Sequence, residues 1–380
     1  MKNFVKLIEQ VHAKRFSAVL NEIVTKKIPV ALLSIEPIDK AVENVKNFRA
    51  QGLNVTNLFT GEFPSDTGNL EFKINHLSDA AQVYPQPEYV WITTTTEVNF
   101  AKKFAAGYKI ILPSVINGLT TDQVYETFMA HLDDLREVYE SLIDEESKKT
   151  FRGFWLGRIS NQVSEVVYAN TPQYICAGFV PERDAIVIDC GAYDGGTAVR
   201  FANTGCKVYA FEPGKDMFAV TRKLAEKNNF VVENFGLGSN EHTANFDAKL
   251  RAISNDAQQS DDIPIKTLDS YVGEKNLPRV DFIKMDVEGA ELDILKGAAV
   301  TIAKYKPILA LSAYHKLDDF WTLMNFVKSI RPDYEFALRQ YATKPEDMSD
   351  FFTKEVVNLF ELVDLDVSLP NYDECVLFAR

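Results

Sequence analysis

Cysteine is sparse in this chain. Its 380 residues include four, Cys176, Cys190, Cys206 and Cys375, none of them spaced as CxxC and none beside a histidine cluster. A disulfide framework and a zinc site are therefore not expected, and a reducing cytoplasm fits. Long apolar runs are also missing. No window of about 18 apolar residues occurs, so no membrane-spanning helix is expected. Near the start, Phe4, Val5, Leu7, Ile8, Val11 and Phe16 are interrupted by charged and polar residues, which leaves no core for an export signal. Basic charge is in deficit: 41 Lys and Arg face 54 Asp and Glu, a net charge of −13. Bulk nucleic acid and anionic membranes are poor partners for such a chain.

What is present is an ordinary globular composition, 46% apolar and 25% charged, at a length that favours two domains. The acid is unevenly placed. Residues 1–120 carry 13 basic and 11 acidic side chains, so the excess acid lies beyond them.

Three regions separate. Within residues 1–118, apolar runs at 30–35, 53–59, 89–93 and 109–112 read as strands. Residues 41–50 and 97–106 read as helices. This alternation predicts a small parallel α/β domain. Its first turn, Glu36-Pro37-Ile38-Asp39, has no glycine and so no cradle for phosphate. An accessory role in acceptor recognition or in homo-oligomer formation is the expectation. Residues 119–170 read as a helical connector, with Val124, Phe128, Leu132, Leu135, Val138 and Leu142 at helical spacing. From 171 to 380 the βαβ rhythm predicts a doubly wound, Rossmann-like sheet, with ligands beyond the carboxyl ends of its strands. Helices are expected at 291–303 and 318–330, and a polar surface loop at 254–262.

The first strand of that last domain runs into Asp189-Cys190-Gly191-Ala192-Tyr193-Asp194-Gly195-Gly196. In a dinucleotide fingerprint the position of Tyr193 must be glycine for a pyrophosphate to approach. The alternative register sets Asp189 at the strand end and Gly191 and Gly195 in the turn, a surface for a ligand with a cationic end and no phosphate. Glu212 ends the next strand, where an acidic side chain binds a ribose diol. An adenosine with a cationic amino-acid end describes S-adenosylmethionine. Further on, Lys284, Asp286 and Glu288 alternate along an extended segment before Gly289 and Glu291. Acid at a helix entry has an ordinary dipolar explanation, which accounts for Glu288 and Glu291 better than for Lys284 and Asp286.

The stretch from Ile283 through Lys284, Asp286, Glu288, Gly289 and Glu291 to Lys296-Gly297 resembles the signature of the FkbM family of S-adenosylmethionine-dependent methyltransferases. So do the turn from Asp189 to Thr197, the Thr267-Leu268-Asp269 segment, and Ala313-Tyr314-His315-Lys316 with Asp318-Asp319. The resemblance covers about residues 130–345. Where some members carry a histidine after an arginine near the sixth strand, this chain has Arg339-Gln340. The resemblance implies an O-methyltransferase acting on a sugar, glycan or natural-product hydroxyl, with S-adenosylmethionine as cofactor. The cofactor would rest on Asp189, Gly191, Tyr193, Gly195 and Glu212. Asp286 is the first candidate for the base and His315 the second, with Lys284 orienting Asp286 or meeting the acceptor. Asp286, Glu288 and Glu291 offer hard oxygen ligands for magnesium, but no further clustered acid completes a site, so no metal is expected. The rival readings are an NAD-dependent sugar oxidoreductase and a cofactor-binding module without activity.

Overall fold

The structure is a computed structural model. It describes residues 1–13, 16–61, 70–83, 87, 89–92, 109–111, 121–160, 166–247, 252–253, 261–341 and 374–380. The helix expected at 97–106 lies outside these residues, as does most of the polar loop at 254–262. The last two residues of that loop instead begin a strand.

The chain divides into two compact units. The first comprises residues 1–130, 149–169 and 340–374. It opens with α1 (Lys2–Ala13) and α2 (Phe16–Thr25), followed by β1 (Val30–Ser34), α3 (Ile38–Ala50), β2 (Val55–Thr60), β3 (Lys73–His76), α4 (Ala80–Val83), β4 (Tyr89–Ile92) and β5 (Lys109–Ile111). The five strands pair in parallel in the order β3-β2-β1-β4-β5. All five residues of β1 are buried, as its apolar run requires for a central strand covered on both faces. Ile23, Leu32, Val45, Leu58 and Trp91 belong to its core.

The helices expected as a connector are three, α5 (Thr121–Ala130), α6 (Leu132–Ser141) and α7 (Glu145–Ser160). They are shared out: α5 and most of α7 belong to the first unit, α6 to the second. In the first unit Phe4 packs edge-on against Phe128, and Phe128 against Trp155.

The second unit comprises residues 131–148, 170–339 and 375–380. Its chain runs β6 (Ile186–Cys190), α8 (Gly196–Asn203), β7 (Lys207–Phe211), α9 (Lys215–Asn228), β8 (Val231–Glu233), β9 (Gly236–Leu237), β10 (His242–Asp247), β11 (Ala252–Ile253), β12 (Asp261–Lys266), α10 (Leu268–Glu274), β13 (Phe282–Met285), α11 (Glu291–Gly297), α12 (Ala299–Tyr305), β14 (Ile308–Ser312), α13 (Asp319–Ile330), β15 (Phe336–Gln340) and β16 (Cys375–Ala379). Seven strands form one sheet in the order β15-β16-β14-β13-β6-β7-β8. Neighbours from β14 to β8 are parallel, and β16 runs antiparallel to β14. The helix expected over 291–303 breaks into α11 and α12 at Ala298. Strands β9 to β12 form a separate four-stranded sheet around Ala244, Phe246, Ile263 and Ile265. Two of its strands are only two residues long, too short to leave a periodic signal.

Two of the motifs have structural explanations. Thr267 caps α10 by accepting from Ser270 N at 3.1 Å, while Asp269 caps α12 by accepting from Val300 N and Thr301 N. Gly297 lies where a Cβ would stand 2.0 Å from the carbonyl oxygen of Gly238. Any side chain there would push the four-stranded sheet off α11.

Candidate active site

Strands β6 and β13 are paired in register, Lys284 beside Asp189 and Met285 beside Cys190. The turn after β6 and the turn after β13 therefore emerge side by side at the carboxyl edge of the sheet. Gly191 shows how closely they approach. It has φ +77°, and a Cβ on it would stand 1.9 Å from the carbonyl oxygen of Asp286. The glycine expected to make room for a ligand also makes room for the backbone of the other half of the site.

The backbone donors of the glycine turn are occupied. Gly191 N and Ala192 N donate to Phe211 O, and Gly195 N donates to Ala192 O. Tyr193 N donates to Glu212 Oε2 at 2.8 Å, and Gly196 N to Asp194 Oδ1 at 2.9 Å. The Thr221 hydroxyl donates to Tyr193 O. A phosphate cradle needs free N–H groups aimed outward, and these five point back into the protein.

Glu212 is buried at the end of β7, where its other carboxylate oxygen accepts from Gly214 N at 2.7 Å. Burial pushes its carboxyl up, opposed by these two backbone donors. Asp189 does not face outward as the sequence reading expected. It is fully buried, with Lys284 Nζ 3.0 Å from Oδ1. Lys284 is itself 3% exposed and also donates to Gly191 O. Burial works against its charge, but Asp189 and Asp286 outweigh that and hold the ammonium protonated. Lys284 thus lies beneath the turn and fastens it.

Asp286 is partly exposed at the strand tip, where Tyr174 Oη donates to Oδ2 at 2.7 Å and Tyr314 Oη donates to Oδ1 at 3.0 Å. Burial would raise its pKa, yet the Lys284 charge, His315 and the two hydroxyls together hold it below the ordinary carboxylate range. His315 follows β14, with Nε2 3.6 Å from Asp286 Oδ1 and 3.5 Å from Glu288 Oε2, and Nδ1 2.9 Å from Glu291 Oε1. Burial lowers its pKa, but Glu291, Asp286 and Glu288 override this and push it up to about 9. At neutral pH the ring is charged.

The structure therefore brings Asp286 and His315 together, puts Lys284 with Asp189 below them, and sets the turn of Gly191, Tyr193 and Gly195 alongside with Glu212. Tyr174 escaped the sequence reading. It comes from an irregular segment before β6, carries a left-handed φ of +62°, and has no periodic pattern around it. Tyr314 stands beside His315 in the Ala313-Tyr314-His315-Lys316 stretch, which is its signal in the sequence.

A doubly wound sheet in which a reversed strand, β16, is inserted between β14 and β15 departs from the dinucleotide-binding order. Residues 189–342 match the family model described as Methyltransferase FkbM domain. The crystal structure of Methyltransferase FkbM from Methylobacillus flagellatus KT is similar over 99% of both chains, with a TM-score of 0.69 at 17% identity, a likeness of fold. The Hexuronic acid methyltransferase AglP of Haloferax volcanii is 30% identical over 122 residues, 30% of this chain and 51% of that one. This chain thus spans about half the length of that curated relative. Among the described residues no helix is long and apolar enough to cross a membrane.

Proposed function

We propose that this chain transfers the methyl group of S-adenosylmethionine to a hydroxyl oxygen of a sugar. The observation that supports this most is the pairing of two turns of opposite character. One offers a ligand no free donors among Gly191, Ala192, Tyr193, Gly195 and Gly196. The other presents an ionised carboxylate, Asp286. The cofactor's adenosine needs no phosphate site, and its sulfonium and ammonium charges suit a site edged by Asp286, Glu288 and Glu212. Gly191, Tyr193 and Gly195 would carry it, with the uncommitted lone pairs of Glu212 toward the ribose diol. Asp189 acts through the turn, which Lys284 fastens. When bound, the cofactor supplies an electrophilic methyl group.

Asp286 receives the acceptor hydroxyl. A hydroxyl loses its acidity barrier once its oxygen begins to bond to carbon, so a carboxylate of low basicity suffices to take the proton. His315 is charged at neutral pH and holds no proton vacancy. Tyr174 and Tyr314 keep Asp286 in one orientation, which is where positioning lowers the barrier. The sugar rests on the relative named as a hexuronic acid methyltransferase, and Asp286 favours a hydroxyl over the acid's own carboxylate, which needs no base.

Calorimetry with S-adenosylmethionine and NAD, followed by incubation with uronic-acid glycosides and NMR of the product, tests the reading. Micromolar binding of S-adenosylmethionine, weakened tenfold or more in Glu212→Ala, and a new O-methyl signal are expected. Asp286→Asn should lose turnover and keep cofactor binding. Binding of NAD in place of S-adenosylmethionine would sink the proposal.

A further inference from the structure

We infer that Asp286, Glu288 and His315 Nε2 form a binding site for a divalent cation of the Mg2+ or Mn2+ type, with Glu291 fixing the histidine that binds it. This goes beyond the methyl-transfer reading and rests on the geometry of the cluster alone.

The two ring nitrogens of His315 have different surroundings. Nδ1 lies at hydrogen-bond distance from Glu291 Oε1, 2.9 Å. That contact favours Nδ1 as the protonated nitrogen of the neutral ring, so a cation that binds at Nε2 displaces the second proton of the charged ring. There, Asp286 Oδ1 and Glu288 Oε2 stand at 3.6 and 3.5 Å. These distances are too long for good hydrogen bonds. They are the spacing of ligands around a shared ion, because two donors each about 2.1 Å from a cation stand roughly 3–3.6 Å apart. Carboxylate to histidine to metal is the usual order in such sites, the outer carboxylate setting the tautomer.

A second observation comes from Glu291. Its side chain is 0% exposed, and its ligand atom lies within 4.8 Å of those of Asp286 and His315. Oε1 accepts from Val287 N at 3.0 Å, whereas Oε2 is buried with no hydrogen-bond partner among the described residues. A buried carboxylate with an orphaned oxygen is costly unless positive charge stands close. Three carboxylates converge on one imidazole here, so the site is short of positive charge.

The backbone at Glu288 supports its aim. Glu288 has φ +53° and precedes α11 instead of lying on it. From that turn Glu288 reaches the Nε2 side of His315, while Glu291 meets its Nδ1 side. The sequence reading looked for one more acid to complete a magnesium site. The missing ligand is His315, which follows the next strand.

Electron paramagnetic resonance of Mn2+ added to the chelator-treated full chain, without methyl donor or acceptor, tests the site. One equivalent bound is expected, displaced by Mg2+. Glu288→Gln, a change at a partly exposed position, should weaken binding tenfold or more. Glu291→Gln should weaken it roughly 10–100-fold, as loss of an outer ligand does. His315→Ala should abolish binding, with a thermal melt confirming the fold. Absence of stoichiometric binding at millimolar Mn2+, Mg2+ and Zn2+ would overturn the inference and make the His315 imidazolium the cluster's own cation. Binding unchanged by Glu288→Gln and His315→Ala would overturn it equally. Because cofactor binding is measured separately, failure here leaves the methyl-donor reading standing, and the reverse holds.

Discussion

Tyr174 and Asp286 lie 112 residues apart in the chain, yet the tyrosine hydroxyl donates to Asp286 Oδ2 at 2.7 Å. The same hydroxyl is 3.3 Å from Ser312 Oγ, and the ring stands 5.3 Å from the Lys284 ammonium. Tyr174 is 1% exposed. One side chain from outside the sheet thus touches the tips of β13 and β14 and the cation beneath the glycine turn. Its place explains how a carboxylate at the site keeps both its orientation and its charge.

Tyr174→Phe removes that donor and leaves the ring. A hydrogen bond to a charged group contributes about 1.5–3 kcal/mol, so turnover should fall roughly tenfold or more. The Asp286 pKa is held down in part by this bond, and its loss should raise it. Since Asp286 works ionised, the acid limb of the kcat/KM profile should move to higher pH by about one unit. Cofactor affinity by calorimetry should stay within about twofold. An unmoved acid limb would show that Asp286 does not set it.

Lys284→Met should be among the most damaging changes to stability. It leaves Asp189 fully buried without its ion-pair partner, and breaking a buried pair costs about 3–5 kcal/mol. Urea denaturation should show the loss. Adding Asp189→Asn to the variant should recover part of it, because the uncompensated charge goes. No recovery would mean that Lys284 stabilises through its bonds to the turn carbonyls instead.

The long-range order of the methyltransferase sheet was legible because each central strand is buried on both faces. That writes a continuous apolar run such as Ile186-Val187-Ile188 or Ile308 to Leu311. The small sheet was not legible, since β9 and β11 are two residues each, too short to leave a periodic signal. At the site, residues at strand tips could be placed because sheet topology brings tips together: hence Asp286, His315 and Glu212. What failed was direction. Asp189 was read as facing outward, but residues on one strand differ in depth, and its neighbour Lys284 on β13 draws it inward. Tyr174 could not be found, because irregular backbone carries no period and its partner lies on another element.

Gly191→Ala tests the approach of the two turns. The substitution forces a Cβ into a left-handed φ and against the Asp286 carbonyl. Strain of about 1–2 kcal/mol for the backbone adds to about 1–3 kcal/mol for overpacking. A loss of about 2–5 kcal/mol in denaturant unfolding is expected, with turnover abolished as Asp286 moves. Gly273→Ala is the control. Gly273 lies within α10 with nothing within 4 Å of an added Cβ, and alanine there should be neutral or slightly stabilising. Equal effects at the two positions would remove the steric explanation.

Asp319→Asn should stabilise the protein at alkaline pH and leave it unchanged in acid. Asp319 is 3% exposed at the start of α13, and burial, with Glu291 close by, pushes its carboxyl up to about 7. An unfolded aspartate titrates near 3.9. Below that pH both states hold the proton and the residue carries no penalty. As pH rises from about 4 through 7 the unfolded chain releases its proton first, so stability drains away, and above 7 the loss is complete. A shift of this size corresponds to at most about 4 kcal/mol. Asparagine cannot ionise, and its carbonyl oxygen can still accept from Lys316 N, as Asp319 Oδ2 does at 2.8 Å. Thermal melts at pH 4 and pH 8 decide the matter: the variant should match the parent at pH 4 and melt several degrees higher at pH 8. A parallel pH dependence of the two proteins would place the titrating group elsewhere.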